Sequence, residues 1–212
     1  MLISASILSI KDNIKEKIIM LNQTNINYIH LDIMDGLFVS NKTWFIDEVT
    51  PMTQMITKPL DIHLMVKDVI KHIDQYCILK PAYLTFHLEA VSDPMYVIEY
   101  LRNLNIKVGI SIKPNTEVSA LAPYLPLIDL VLLMSVEPGL GGQSFIPETE
   151  KKINELLGLR NENNDDFLIE VDGGINADTY QLCLKADMVV VGSYLTNSDN
   201  YQLQIDQMKH QN

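Results

Sequence analysis

The chain has 212 residues, 47% of them hydrophobic, and a formal net charge of −11. That is enough apolar material for one sizeable core, so a single domain over residues 1–212 is expected. The acidity, with no basic cluster, argues against a nucleic-acid partner, and no run approaches the roughly 18 apolar residues of a membrane span.

The opening residues, MLISASIL, carry no positively charged leader, and a cytoplasmic protein is expected. Residues 2–8 are also the first of eight short apolar runs rich in β-branched side chains, the others being 28–34, 60–66, 83–89, 107–112, 130–136, 167–171 and 188–192. Between them lie amphipathic segments at 12–22, 69–79, 94–104, 148–159 and 177–185, with a last one from 199 onward. Asp12 and Asn176 are the N-cap candidates, and the polar stretch NENNDD at 161–166 reads as a loop. Cys77 and Cys183 each stand alone in a helical segment, which predicts two buried, reduced thiols and no disulfide or thiolate metal site. Strands alternating with helices imply parallel pairing through right-handed crossovers, and eight such units predict a closed α/β TIM (β/α)8 barrel. An open doubly wound sheet is the alternative, but no G-x-G-x-x-G follows the first strand and the glycine-rich turns come late.

In a barrel of this kind all strand C-termini open onto one face, so residues far apart in sequence meet there. His30 and Asp32 are two apart on one run and point the same way, His63 falls near the end of the third run, and Asp172 directly follows the seventh. Each alone is an ordinary strand residue. Together they are two imidazoles and two carboxylates, a donor set for one divalent transition metal: zinc, iron(II), manganese or cobalt rather than magnesium or calcium. Such a cation polarises a carbonyl and stabilises an enediolate, and Asp32 and Asp172 on opposite faces of a substrate would make a two-base pair that inverts one carbon.

The stretch PGLGGQ at 138–143, with Gly139, Gly141 and Gly142, follows the sixth run and is long enough to serve as a lid. Gly173 and Gly174 follow the seventh run, and Gly192 and Ser193 the eighth. Any one of these is an ordinary tight turn, but their clustering favours a phosphate held by backbone amides. Met34, Met65 and Met134 lie near strand ends, as core packing or as an apolar shelf over a planar intermediate. Ser6 either donates to substrate or caps a turn. His87 ends the fourth run facing the pocket or the core, with no metal role. Asp35 is a turn residue whose carboxylate is a candidate to orient His30 or His63.

These residues and their surroundings resemble the ribulose-phosphate 3-epimerase family. The resemblance runs from SASIL at 4–8 through HLDIMDGLFV at 30–39, HLMV at 63–66, VEPGLGGQ at 136–143 and VDGG at 171–174 to Gly192-Ser193. It implies an isomerase of carbohydrate metabolism with a TIM barrel, which interconverts D-ribulose 5-phosphate and D-xylulose 5-phosphate in the pentose phosphate pathway. It further implies that His30, Asp32, His63 and Asp172 hold the metal, that Asp32 and Asp172 are the acid/base pair, and that Ser6 and His63 meet substrate. The glycines and Ser193 would hold the phosphate of a small sugar phosphate, and the chain would be a homo-oligomer. Ala5, Ser40 and Leu140 depart from the family's usual proline, proline and phenylalanine without removing a ligand. The related allulose-6-phosphate 3-epimerases are similar around residues 57–61 and 169–172 and are the alternative. Ile33 and Met34 leave no lysine for the D-x-K-x-x-D decarboxylases, and a non-catalytic barrel would be expected to have lost part of the quartet, which is intact.

Overall fold

A computed structural model describes residues 1–209. Eight parallel strands close into a barrel in sequence order: β1 Leu2–Ser6, β2 Tyr28–Met34, β3 Leu60–Met65, β4 Tyr83–His87, β5 Lys107–Ile112, β6 Leu130–Met134, β7 Leu168–Asp172 and β8 Met188–Val191, with β8 pairing back to β1. The helices are α1 Ile14–Asn22, α2 Ile46–Thr53, α3 Val69–Tyr76, α4 Pro94–Asn103, α5 Thr149–Asn163, α6 Ala177–Tyr180, α7 Ser193–Thr196 and α8 Tyr201–Lys209. This is the single-domain TIM barrel expected from the alternation. No helix among the described residues is long and apolar enough to cross a membrane.

The strands are buried on both faces, and the two faces differ in chemistry. One parity of residues points outward beneath the helices: Ile29, Leu31 and Ile33 of β2, Ile62 and Leu64 of β3, Val131 and Leu133 of β6, all in one apolar cluster. The other parity fills the barrel. Its lower end is apolar, with Tyr83, Leu130, Leu132 and Met188 packed together and Leu2, Tyr28 and Leu168 against them. Its upper end is polar, with Ser4, Ser6, His30, Asp32, Asp61, His63, His87 and Glu170 all buried. Gly109 on β5 makes room for this interior, since a Cβ there would collide with the Thr85 hydroxyl.

Local chemistry sets the helix ends. Asp93 caps α4 by accepting from the Tyr96 amide at 3.2 Å, ahead of Pro94 in the first turn. Asn176 caps α6 by accepting from the amides of Asp178 and Thr179, as its sequence context predicts. Asp12 does not cap α1. The helix starts at Ile14, and Asn13, with φ 54°, turns the chain into it with no side-chain cap. The segment 177–185 splits into α6 and a 3-10 turn at Gln181–Cys183, and α5 runs on to Asn163 and takes in the first half of the expected 161–166 loop. Asn164, with φ 56°, then ends it. The segment from 199 onward becomes α8, and its continuation past residue 209 lies outside the described residues. Cys183 is buried as expected, whereas Cys77 is half-buried, its thiol 3.4 Å from the Asp74 carbonyl oxygen.

Candidate functional site

Strand register assembles the site. Pairing β2 with β3 sets His30 opposite Asp61, Asp32 opposite His63 and Met34 opposite Met65, so each level of the barrel carries a matched pair. At the upper level, His30 Nε2 and His63 Nδ1 each stand 3.4 Å from Asp32 Oδ1, and His63 Nδ1 lies 3.9 Å from Asp172 Oδ2. One ligand atom from each of His30, Asp32, His63 and Asp172 falls within 4.8 Å of the others. Both imidazole nitrogens are buried without a hydrogen-bond partner. Unpartnered ring nitrogens buried beside two carboxylates are costly unless something positive completes the group.

The electrostatics agree. Burial works against charge at Asp32, yet the His30 imidazole, and then the His63 imidazole, hold its carboxyl well below the usual range. Burial, followed by the nearby Asp32 carboxylate, pushes Asp172 up to about 7. Burial disfavours a charged His30, but Asp61 and then Asp32 outweigh it and raise the ring well above its ordinary value. Burial is the chief reason that His63 is lowered. An excess of carboxylate around two imidazoles is the environment of a cation site.

Beneath the quartet lies a second polar level. His30 Nδ1 is 2.6 Å from Asp61 Oδ2, and that oxygen also accepts from the Ser4 hydroxyl at 2.8 Å. Glu170 comes within 4.8 Å of the same group, and burial followed by the Asp61 carboxylate pushes its carboxyl well up. A carboxylate accepting from the far nitrogen of an imidazole fixes the ring's orientation and tautomer, which is what Asp61 does for His30. The task does not fall to Asp35, whose carboxylate accepts from the amides of Leu37, Phe38 and Lys67 as a turn residue.

Above the quartet opens a pocket of about 600 Å³, within the range of small-molecule sites. Ser6, Asp32, Met34, Met65, Met134, Gly139, Gly141, Gly142, Asp172, Gly173, Gly174, Gly192 and Ser193 all line it. His30 and His63 do not: both are fully buried below the floor and reach the quartet with one nitrogen each. His87 is below the floor as well, its Nε2 2.9 Å from His63 Nε2. The Ser6 hydroxyl donates to Asp32 Oδ2 at 2.8 Å, which leaves Oδ1 turned toward the two imidazoles.

The loops over β6 and β7 are held by close backbone contact. Gly174 has φ +65°, and a Cβ there would come within 2.6 Å of the Phe145 amide nitrogen and 2.8 Å of the Gln143 carbonyl oxygen. Gly139 has φ +114° and packs on Val39, while its carbonyl accepts from Asn41 Nδ2 at 2.8 Å, so the loops after β2 and β6 are latched together. Gln143 Nε2 donates to the carbonyls of Glu137 and Leu140 and closes the β6 loop on itself. Leu140, 60% exposed, stands on the pocket rim.

The sequence alone assigns no site role to Ser9, Asn176, Tyr194, Asn197 and Gln204 in the pocket wall, or to Asp61 and Glu170 beneath it. A signal existed for the last two. Each stands two residues before a quartet member, His63 or Asp172, and so shares its inward face.

Residues 2–196 match the profile of the Ribulose-phosphate 3 epimerase family. The chain is 39% identical to the ribulose-phosphate 3-epimerase of Treponema pallidum over 78% of this chain and 77% of that one. It is 34% identical to the protein of that name from Methanocaldococcus jannaschii over 98% and 89%, and 35% identical to the one from Helicobacter pylori over 88% and 87%. Among solved structures, phosphoribosyl anthranilate isomerase from Thermococcus kodakaraensis superposes with a TM-score of 0.66 at 12% identity, covering 98% of this chain and 96% of that one. Likeness at that identity speaks for the barrel alone.

Proposed function

The chain belongs to the ribulose-phosphate 3 epimerase family, and from that premise we propose that it inverts C3 of a ketose phosphate, interconverting D-ribulose 5-phosphate and D-xylulose 5-phosphate in the pentose phosphate pathway. The observation that carries this reading is the quartet: one acid on β2 and one at the end of β7, set with two imidazoles at the floor of a pocket whose far wall is glycine backbone.

The residues fit a divalent cation, because His30 Nε2 and His63 Nδ1 are buried ring nitrogens with no hydrogen-bond partner and Asp32 and Asp172 supply the opposing charge. Zinc, iron(II), manganese and cobalt suit this donor set. When bound, such an ion would polarise the substrate's carbonyl and lower the energy of the enediolate.

The rest is work for the chain's own groups. Asp32 and Asp172 take the C3 proton on one face of the substrate and return a proton on the other, exchanging duties in the reverse direction. Ser6 holds the Asp32 carboxylate in its orientation. Met34, Met65 and Met134 form an apolar shelf that keeps water from the planar intermediate. Amides around Gly141, Gly142, Gly174, Gly192 and Ser193 hold the phosphate, and the loop 138–143 closes over it. The same reading makes the chain a cytoplasmic homo-oligomer, which light scattering on the purified protein would check.

Initial rates of the metal-loaded enzyme on D-ribulose 5-phosphate and D-allulose 6-phosphate test the substrate assignment. The pentulose is expected to turn over faster, and the reverse order would move the enzyme to the hexulose phosphate. Chelation is expected to abolish activity and a divalent transition metal to restore it. Full turnover by metal-free protein would sink the metal reading.

A further inference from the structure

The two imidazoles of the quartet are braced differently, and the brace on His63 leads away from the barrel axis. His63 Nε2 lies 2.9 Å from His87 Nε2, and His87 Nδ1 lies 3.2 Å from Glu89 Oε2. For neutral rings this chain has one consistent proton pattern. The Glu89 carboxylate only accepts, so His87 carries its proton on Nδ1. Its Nε2 is then a lone pair and must receive the Nε2–H of His63. Nδ1 of His63 is left without a proton, and it is the nitrogen that faces Asp32 and Asp172 with no partner of its own.

The brace is itself immobilised. The His87 ring is fully buried between His63 and Phe38, with centroid separations of 4.9 and 4.8 Å. The second oxygen of Glu89 accepts from the Lys113 amide at 2.8 Å and from the Thr116 hydroxyl. Lys152 of α5 grips that same loop by donating to the carbonyls of Pro114 and Thr116, each at 2.6 Å. His30 is set the other way round, with Nδ1 committed to Asp61 and Nε2 facing the quartet.

We infer that His87 and Glu89 are positioning residues for the metal centre, a relay from the buried His87 ring to the Glu89 carboxylate that fixes the tautomer of His63 so that Nδ1 is the nitrogen offered to the cation, opposite to the choice made for His30. The inference rests on the metal reading above and adds to it two residues that bind neither ion nor substrate. Outer partners of this kind set ligand orientation and basicity.

Long-range ¹H–¹⁵N correlation on zinc-loaded enzyme labelled with ¹⁵N-histidine reads the tautomers directly. The expected pattern is a proton on Nε2 of His63 and on Nδ1 of His87. A proton on Nδ1 of His63, or on Nε2 of His87, would overturn the inference. In parallel, His87→Leu is expected to weaken zinc binding in a chelator competition by about 10- to 100-fold and to shift the visible bands of the cobalt-loaded protein, whereas His87→Gln, whose carbonyl accepts the same hydrogen bond, stays within about threefold of wild type. Equal zinc affinity and identical cobalt spectra in all three proteins would refute the relay and leave the metal site standing. Wild type that takes up no zinc removes both. If His87→Leu does not fold, the tautomer pattern of the wild type decides.

Discussion

The two halves of the barrel mouth are built from different materials. On the side of β1 to β3 the site is built from side chains: Ser6, His30, Asp32, Asp61 and His63 are all buried and fixed by strand register. On the side of β6 to β8 it is built from backbone, with glycines at 139, 141, 142, 173, 174 and 192 lining the pocket and Asp172 alone supplying charge. The contrast separates two physical tasks. Charged groups that must be desolvated and accurately spaced sit on strands, whereas a surface that must come close to a ligand and move over it sits on loops.

If that division is right, Asp172 is the one residue of the glycine half whose side chain is indispensable. Asp172→Asn is expected to lower kcat by about 10²-fold or more, a usual share for acid/base work, with exchange of the C3 hydrogen in heavy water slowed alongside. Unchanged turnover would mean that the proton carriers both lie elsewhere. A smaller effect of a different kind is expected from Gly174→Ala. The added Cβ meets backbone at 2.6 and 2.8 Å from a left-handed conformation, a strain of about 1–3 kcal/mol, and it should appear as a KM raised by about tenfold with kcat less affected. A pure kcat effect would blur the division between the halves.

On the side-chain half, Asp61→Asn is expected to weaken zinc binding by about tenfold while the pocket wall stays intact, measured by chelator competition. The least change concerns acid stability at the edge of this half. Burial pushes the Glu89 carboxyl up, but hydrogen bonds from His87, Thr116 and the Lys113 amide prevail and bring it down to about 2 from its ordinary 4.5. A carboxylate depressed on folding stabilises the fold above its unfolded value and loses that contribution as pH falls toward the folded one. The gap in Tm between wild type and Glu89→Gln should therefore be full at pH 6 and narrow from about pH 4.5 downward. A gap that widened in acid would mean that Glu89 is not held ionised by these partners.

How much of this could be read from the chain follows the same divide. The strands were legible because fully buried β-strands are continuous apolar runs, though several runs extend past the ladder: Ile7, Leu8, Val66 and Val136 remain apolar where the strand has already become loop. The quartet was legible because its His and Asp residues interrupt otherwise apolar strand runs, and the glycine wall because glycines cluster after β6, β7 and β8. Helix α2 escaped notice, since Pro51 interrupts its eight residues and masks the period. The contact between His63 and His87 could not be read at all. The barrel pairs His63 with Thr85 and leaves His87 two residues further along, and that stagger is a property of the closed sheet, not of either strand.

The alternation of apolar and polar residues along β2 and β3 also guards the folding of the chain. A slip of one residue in either strand would swing His30 and Asp32, or Asp61 and His63, out of the barrel and into the hydrocarbon beneath the helices, while Leu31 or Ile62 turned inward. Burying a lone carboxylate among aliphatic side chains costs several kcal/mol or more, a large share of the stability of a domain. The polar residues that gather at the site thus also make the wrong barrel unstable, and a chain that closes with the wrong pairing has an incentive to reopen.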